Sequence, residues 1–203
     1  MSRIESLPLL LSLLAWPALG VGMALFRRRG SGPASRRDPL SLVGLVVQAV
    51  SFGLAYSVHR PTHPDAPLWD GALRWLGVAL AWGSAGVVIA SVRTLGRQWS
   101  LQARVLEGHR LIVEGPYGHV RHPIYAAMLG LCVGTGLNLT SWGVLAAATV
   151  LYLVGTRLRT VSEERLLRET FGEEYACYAV EVPGLLPRPF GRGSGRREPT
   201  SAP

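Results

Sequence analysis

The chain has 203 residues, 48% hydrophobic and only 17% charged, with a formal net charge of +8. Soluble domains carry about 25% charged residues, so this composition, with a mean hydropathy of +0.25, is that of a chain that solves its burial problem in lipid. All 21 basic residues are arginines, and most flank apolar segments, so the basic pI points to anionic lipid headgroups as partners and weighs against nucleic acid.

Residues 7–26 form the first apolar segment. About 20 apolar residues span the hydrocarbon core. The run exceeds the ~7–15 residues of a signal-peptide core, and its arginine cluster follows it, so it reads as a membrane helix. Pro8 and Pro17 are compatible with that reading, because neighbouring helices can satisfy freed carbonyls. A basic loop over 27–38 precedes a second segment over 40–58. Three prolines mark 59–70 as a loop. The third segment, 71–92, contains Gly77, Gly83 and Gly86, expected as small contacts for close helix packing. A polar stretch over 93–121 leads to a fourth segment, 123–137, and a fifth from Ser141 or Trp142 to about Thr156. Fifteen helical residues rise only ~22 Å, short of the ~30 Å hydrocarbon core. Segments four and five therefore read as a tight hairpin turning at 138–141, its tip stopping short of the far surface. Asn138-Leu139-Thr140 matches a glycosylation acceptor, but its position reads as a buried or membrane-level turn.

Ser162 opens a stretch over 162–178 in which Leu166, Leu167, Phe171 and Tyr175 recur at helical spacing, predicting a separate amphipathic helix. From Pro187 the chain is rich in Pro, Gly, Arg and Ser, the composition of a disordered basic tail. The expectation is an all-α, polytopic membrane bundle of about five transmembrane helices with a C-terminal cytoplasmic amphipathic helix. Its organisation is three N-terminal segments over 1–92, a catalytic region with the hairpin over 93–189, and a tail over 190–203. Arginines crowd the loops after segments one and three and the C-terminal part, while Arg60 stands alone after segment two. The positive-inside rule then puts the N-terminus outside and the polar blocks in the cytoplasm.

Chemistry concentrates at Arg121-His122-Pro123-Ile124-Tyr125 and at Glu163-Glu164. Pro123 suits the first turn of a helix, and the free amides of that turn favour an anionic group. Singly, Arg, His and Tyr are also common interfacial anchors, and two glutamates among arginines are commonly a solvated helix face. The hairpin changes the weighting: it brings the end of segment five beside the start of segment four, so His122 and Glu163 can share a cleft. Gly134-Thr135-Gly136 is not a dinucleotide loop, since no strand precedes it. Cys132 and Cys177 have neither disulfide nor zinc spacing, and no metal site is expected.

Together these residues resemble the isoprenylcysteine carboxyl methyltransferase family and its wider group of integral-membrane methyltransferases. The shared signature is Arg121-His122-Pro123-Ile124-Tyr125, a hydrophobic hairpin, then Glu163-Glu164. The similarity continues through Phe171-Gly172-Glu173-Glu174-Tyr175 and Tyr178 to Pro187, and upstream through Gln102 and His109-Arg110-Leu111-Ile112 to Tyr117. It covers about residues 93–189.

The resemblance implies S-adenosylmethionine as cofactor, bound without a Rossmann domain. By position, Gln102, His109, Arg110, Leu111, Ile112 and Tyr117 would face that cofactor. So would His122, Pro123, Ile124 and Tyr125, with Glu163 and Glu164. Arg159 matches a position facing the methyl acceptor and is the catalytic candidate. The acceptor implied is hydrophobic, prenylated or otherwise lipid-linked, at a cytoplasmic active site. Methylation of a small thiol or phospholipid is an alternative. Two further readings are a non-catalytic scaffold or transporter-like protein, disfavoured by spans almost free of charge, and a reductase-like protein with the same hairpin.

Overall fold

The computed structural model describes residues 3–26, 36–57, 68–99, 104–105 and 110–187. Apolar runs in lipid must satisfy every backbone group internally, and a helix does this within one segment. Accordingly, α1 (Arg3–Phe26), α2 (Pro39–Ser57), α3 (Leu68–Leu95), α4 (Pro123–Leu139), α5 (Trp142–Phe171) and α6 (Glu173–Glu181) carry the fold. Pro8 and Pro17 lie inside α1. The Asp38 side chain accepts a hydrogen bond from the Leu40 amide at 2.9 Å, closing the start of α2.

Four helices are long and apolar enough to cross a membrane, over Ser6–Phe26, Pro39–Ser57, Trp69–Gln98 and Trp142–Phe171. α4, with 17 residues, is the shorter apolar helix expected of the hairpin's first arm. Leu10, Val21, Val46, Trp75 and Val150, among others, are exposed, as side chains facing lipid are. The protein is a multi-pass, all-helical membrane protein.

Two helix pairs, α2 with α5 and α3 with α4, make the closest packing, and α1 lies along α3. Small residues permit it, because without a hydrophobic driving force in lipid the gain comes from close van der Waals contact. A Cβ on Gly134 would stand 2.7 Å from the Gly77 carbonyl oxygen, and one on Gly155 would stand 2.8 Å from the Gly44 carbonyl oxygen. Of the glycines expected to pack, Gly77 does so; Gly83 and Gly86 have nothing within 4 Å of a Cβ and face outward.

The polar blocks after α1 and α3 meet. β1 (Arg36–Arg37) pairs antiparallel with β2 (Arg104–Val105), so both loops sit at one end of the bundle. At the other end, Asn138 is 2% exposed. Its side-chain amide donates to Ser12 Oγ at 2.9 Å and to the Arg74 carbonyl at 3.0 Å. The acceptor motif is thus a buried tie between α1, α3 and α4. Beside it Arg74 pairs with Asp70 at 2.7 Å, one turn apart and both buried. That ion pair is charge inside a span, where the sequence suggested almost none.

Two expectations need correction. The hairpin turn is narrower than residues 138–141, since α4 continues through Leu139 and α5 starts at Trp142. Ser162 does not start a helix: α5 runs unbroken for 30 residues, and Ser162 is wholly buried in its interior. The amphipathic pattern is real but is divided: Leu166, Leu167 and Phe171 lie on the last turns of α5, and Tyr175 on α6. The break comes at Gly172, whose φ of +50° only glycine adopts without strain. Gln102, His109 and the tail over 190–203 lie outside the described residues.

Candidate active site

The polar stretch before α4 folds into a short 3₁₀ turn over Gly115–Gly118 that buries Tyr117. His122 follows as the residue capping α4, with Pro123 in the first turn. One helical turn on, Tyr125 faces the same way, and its ring stacks on His122 with centroids 5.8 Å apart. α5 returns from the hairpin and brings its acidic pair against both. The Tyr125 hydroxyl donates a hydrogen bond to Glu163. Glu163 Oε2 lies 3.6 Å from His122 Nδ1, and Glu164 Oε1 lies 3.1 Å from Nε2. The imidazole is thus held between two carboxylates. Burial alone would lower its pKa, but hydrogen bonds and charge from Glu163 and Glu164 outweigh that and raise it above its ordinary value.

These side chains border a cavity of about 560 Å³, within the ~300–1,000 Å³ range of small-molecule sites. Arg110, Leu111 and Ile112 form one wall and Tyr117 another. His122, Pro123, Ile124 and Tyr125 supply the rim from α4, and Glu163 from α5. Arg159 reaches the same cavity one turn deeper. Its guanidinium carbon lies 4.9 Å from the Tyr125 ring centroid, a cation–π arrangement. Glu164 does not line the cavity. It sits behind His122, where it accepts from Arg121 at 2.9 Å and from Arg168 at 3.3 Å.

Arg121 fastens α6 over this site. Its NH1 donates to the Ala179 and Val182 carbonyls, each at 2.7 Å, satisfying the orphan acceptors of a helix end. The Arg121 and His122 amides donate to the Pro183 and Gly184 carbonyls at 2.8 and 3.0 Å. α6 consequently presents Tyr175 and Tyr178 to the cavity. Burial pushes both phenols up to about 12, and burial followed by the Glu163 charge raises Tyr117 further. All three stay neutral. Tyr175 is wholly buried, and its hydroxyl has no hydrogen-bond partner among the described residues.

Sequence reading missed the far wall. Trp16 of α1 and Phe52 of α2 meet edge to face at 5.2 Å, and Phe52 meets Tyr152 of α5 at 5.7 Å, making an apolar floor to the cavity. Gln48 of α2 was also missed. An amide in an otherwise apolar span is the signal that would have found it. Among the described residues no three His, Cys, Asp or Glu side chains group as metal ligands.

A family model for phospholipid methyltransferases matches residues 72–174, the stretch that holds α4, α5 and both halves of the His122–Glu163 cluster. The chain belongs to the phospholipid methyltransferase family. Within that family its similarity is to isoprenylcysteine methyltransferases, as the motifs implied. It is 34% identical over 100 residues to protein-S-isoprenylcysteine O-methyltransferase B of Arabidopsis thaliana, covering 48% of this chain and 50% of that protein. The Mus musculus protein-S-isoprenylcysteine O-methyltransferase is 35% identical over 102 residues, covering 48% of this chain and 35% of that protein. The chain therefore spans half or less of the length of these relatives. In fold, it resembles the solved structure of the eukaryotic intramembrane Ras methyltransferase, isoprenylcysteine carboxyl methyltransferase. The TM-score is 0.53 at 21% identity, over 77% of this chain and 54% of that one. Trp16, Gln48 and Phe52 lie outside the stretch that this phospholipid methyltransferase family model matches.

Proposed function

We propose that this protein is a membrane methyltransferase that uses S-adenosylmethionine to methylate the carboxylate of a hydrophobic, lipid-linked acceptor. One observation carries the reading: the polar His122–Tyr125–Glu163 cluster and the buried Arg159 face one cavity whose remaining wall is apolar and aromatic. The residues present fit the cofactor. A wholly buried tyrosine hydroxyl at the cavity has no partner within the described protein, the state of a group kept for a ligand. Tyr117, Tyr175 and Tyr178 offer aromatic faces to a sulfonium or an adenine. Glu163 accepts hydrogen bonds from an ammonium or ribose hydroxyls, and the first turn of α4 beside His122 receives a carboxylate.

When bound, the cofactor would supply an electrophilic methyl group on a cationic sulfur, whose neutral thioether is the leaving group for a nucleophilic oxygen. A carboxylate acceptor arrives already deprotonated, so the chain need not provide a base. Its contribution is positioning. Arg159 holds the acceptor carboxylate by charge-assisted hydrogen bonds, and the floor of Trp16, Phe52 and Tyr152 takes the apolar chain. The active site opens at the end of the bundle where the arginine-rich loops meet, which the positive-inside rule assigns to the cytoplasm. The relatives named for isoprenylcysteine methylation support a prenylated acceptor.

Purified protein in nanodiscs, given isotopically labelled methyl donor, should label N-acetyl-S-farnesylcysteine and leave phosphatidylethanolamine and a small thiol unlabelled. Label appearing only in the phospholipid or thiol, or no label at all, would overturn the assignment.

A further inference from the structure

Gln48 is 5% exposed in the middle of α2, where a polar side chain is costly without partners. It has two. Its Nε2 donates to Thr156 Oγ1 at 2.8 Å, and its Oε1 accepts from Arg159 NH1 at 3.1 Å. These bonds use the two ends of one amide, and the donor-only guanidinium sets which end faces it: a flip would turn an N–H group toward Arg159 and lose that bond, whereas the Thr156 hydroxyl can serve either end. The helix crossing puts the amide there. Gly44 and Gly155 let α2 and α5 approach until a Cβ on Gly44 would stand 2.5 Å from the Arg159 Cγ. Gln48 lies one turn along α2 from Gly44, and Arg159 one turn along α5 from Gly155. Gln48 also lines the cavity that Arg159 faces.

We propose that Gln48 is a positioning residue that orients Arg159 for a carboxylate-bearing acceptor and so sets selectivity for the acceptor's charge. The inference rests on the function proposed above and adds a determinant on α2, outside the shared 72–174 stretch. The chemistry turns on Gln48 being neutral. Its oxygen fixes one N–H of the fork without adding negative charge, so the planar guanidinium keeps its field for an anion. A glutamate at this position would pair with Arg159 and compete with the acceptor. A methionine would keep the volume and release the fork.

The test compares wild type, Q48E and Q48M in nanodiscs, measuring methyl transfer to N-acetyl-S-farnesylcysteine and, separately, S-adenosylmethionine binding by calorimetry. Q48E should raise the acceptor KM at least tenfold and Q48M three- to tenfold. In both, kcat should stay within threefold and cofactor Kd within twofold of wild type. Unchanged acceptor KM in both variants, a fall in kcat alone, or loss of cofactor binding in both would overturn the proposal, the last by making Gln48 merely structural. Normal wild-type turnover with any of these results removes Gln48 alone. A wild type that does not methylate this acceptor removes the function reading and this inference with it.

Discussion

His122 occupies a position where burial and charge oppose each other, and the flanking carboxylates win. Its folded pKa exceeds the ordinary ~6.5, so the imidazolium stabilises the fold fully below that value. This contribution is lost as pH rises through the raised folded value. The thermal midpoint in detergent should therefore fall between pH 6 and pH 9 for wild type, and less steeply for H122N; equal slopes would refute the clamp. Tyr125 gives Glu163 its hydrogen bond while stacking on His122. Y125F keeps the ring and loses the bond, typically worth about 1.5 kcal/mol to a charged acceptor. Calorimetry should show cofactor affinity about tenfold weaker, and weaker still for E163A.

The elements that matter most are the end of α5 and the short α6, which Arg121 ties to α4. Arg121 spends one nitrogen on two carbonyls at the end of α6 and the others on Glu164. Charge-assisted bonds of this kind are worth about 1.5–3 kcal/mol each. R121A should speed backbone hydrogen exchange across Glu173–Glu181 at least tenfold, with Tyr175 withdrawn from the cavity and cofactor binding weakened. Unchanged exchange would show that α6 holds itself in place. The amphipathic spacing of Leu166, Phe171 and Tyr175 was legible because it has the helical period. The unbroken passage of α5 through Ser162 was not, because a serine reads as a cap in sequence and as a small packing residue only against a neighbour. Gly172, with its positive φ, is where the chain bends instead.

At the scale of the whole molecule, the cavity exists because two pairs of helices approach closely. G134A puts a methyl against backbone atoms at 2.7 and 2.8 Å that cannot move cheaply, and overpacking of this kind costs about 1–3 kcal/mol. G83A meets nothing within 4 Å in the interior of α3 and should be neutral to stabilising by up to about 1 kcal/mol. Thermal unfolding of the two variants beside wild type checks both; equal midpoints would mean the α3–α4 crossing is not tight. Sequence alone ranked Gly83 with Gly77 as a packing contact and gave Gly134 no such role, because a glycine's neighbours belong to another helix.

The sequence by itself determined the membrane class, the spans, the hairpin and the family, since these rest on local apolar length, arginine placement and a motif that keeps its order along the chain. It also placed His122 beside Glu163, because a hairpin must return its second arm to the start of the first. Tertiary structure alone decided what closes the site. Trp16 and Phe52 come from helices whose composition says only that they lie in lipid, and the amide of Gln48, though a signal in an apolar span, does not name its partners. The Arg121 tie to α6 joins residues about sixty positions apart. Contacts of that range depend on how helices cross, and helix crossing is set by packed surfaces that no single stretch of chain contains.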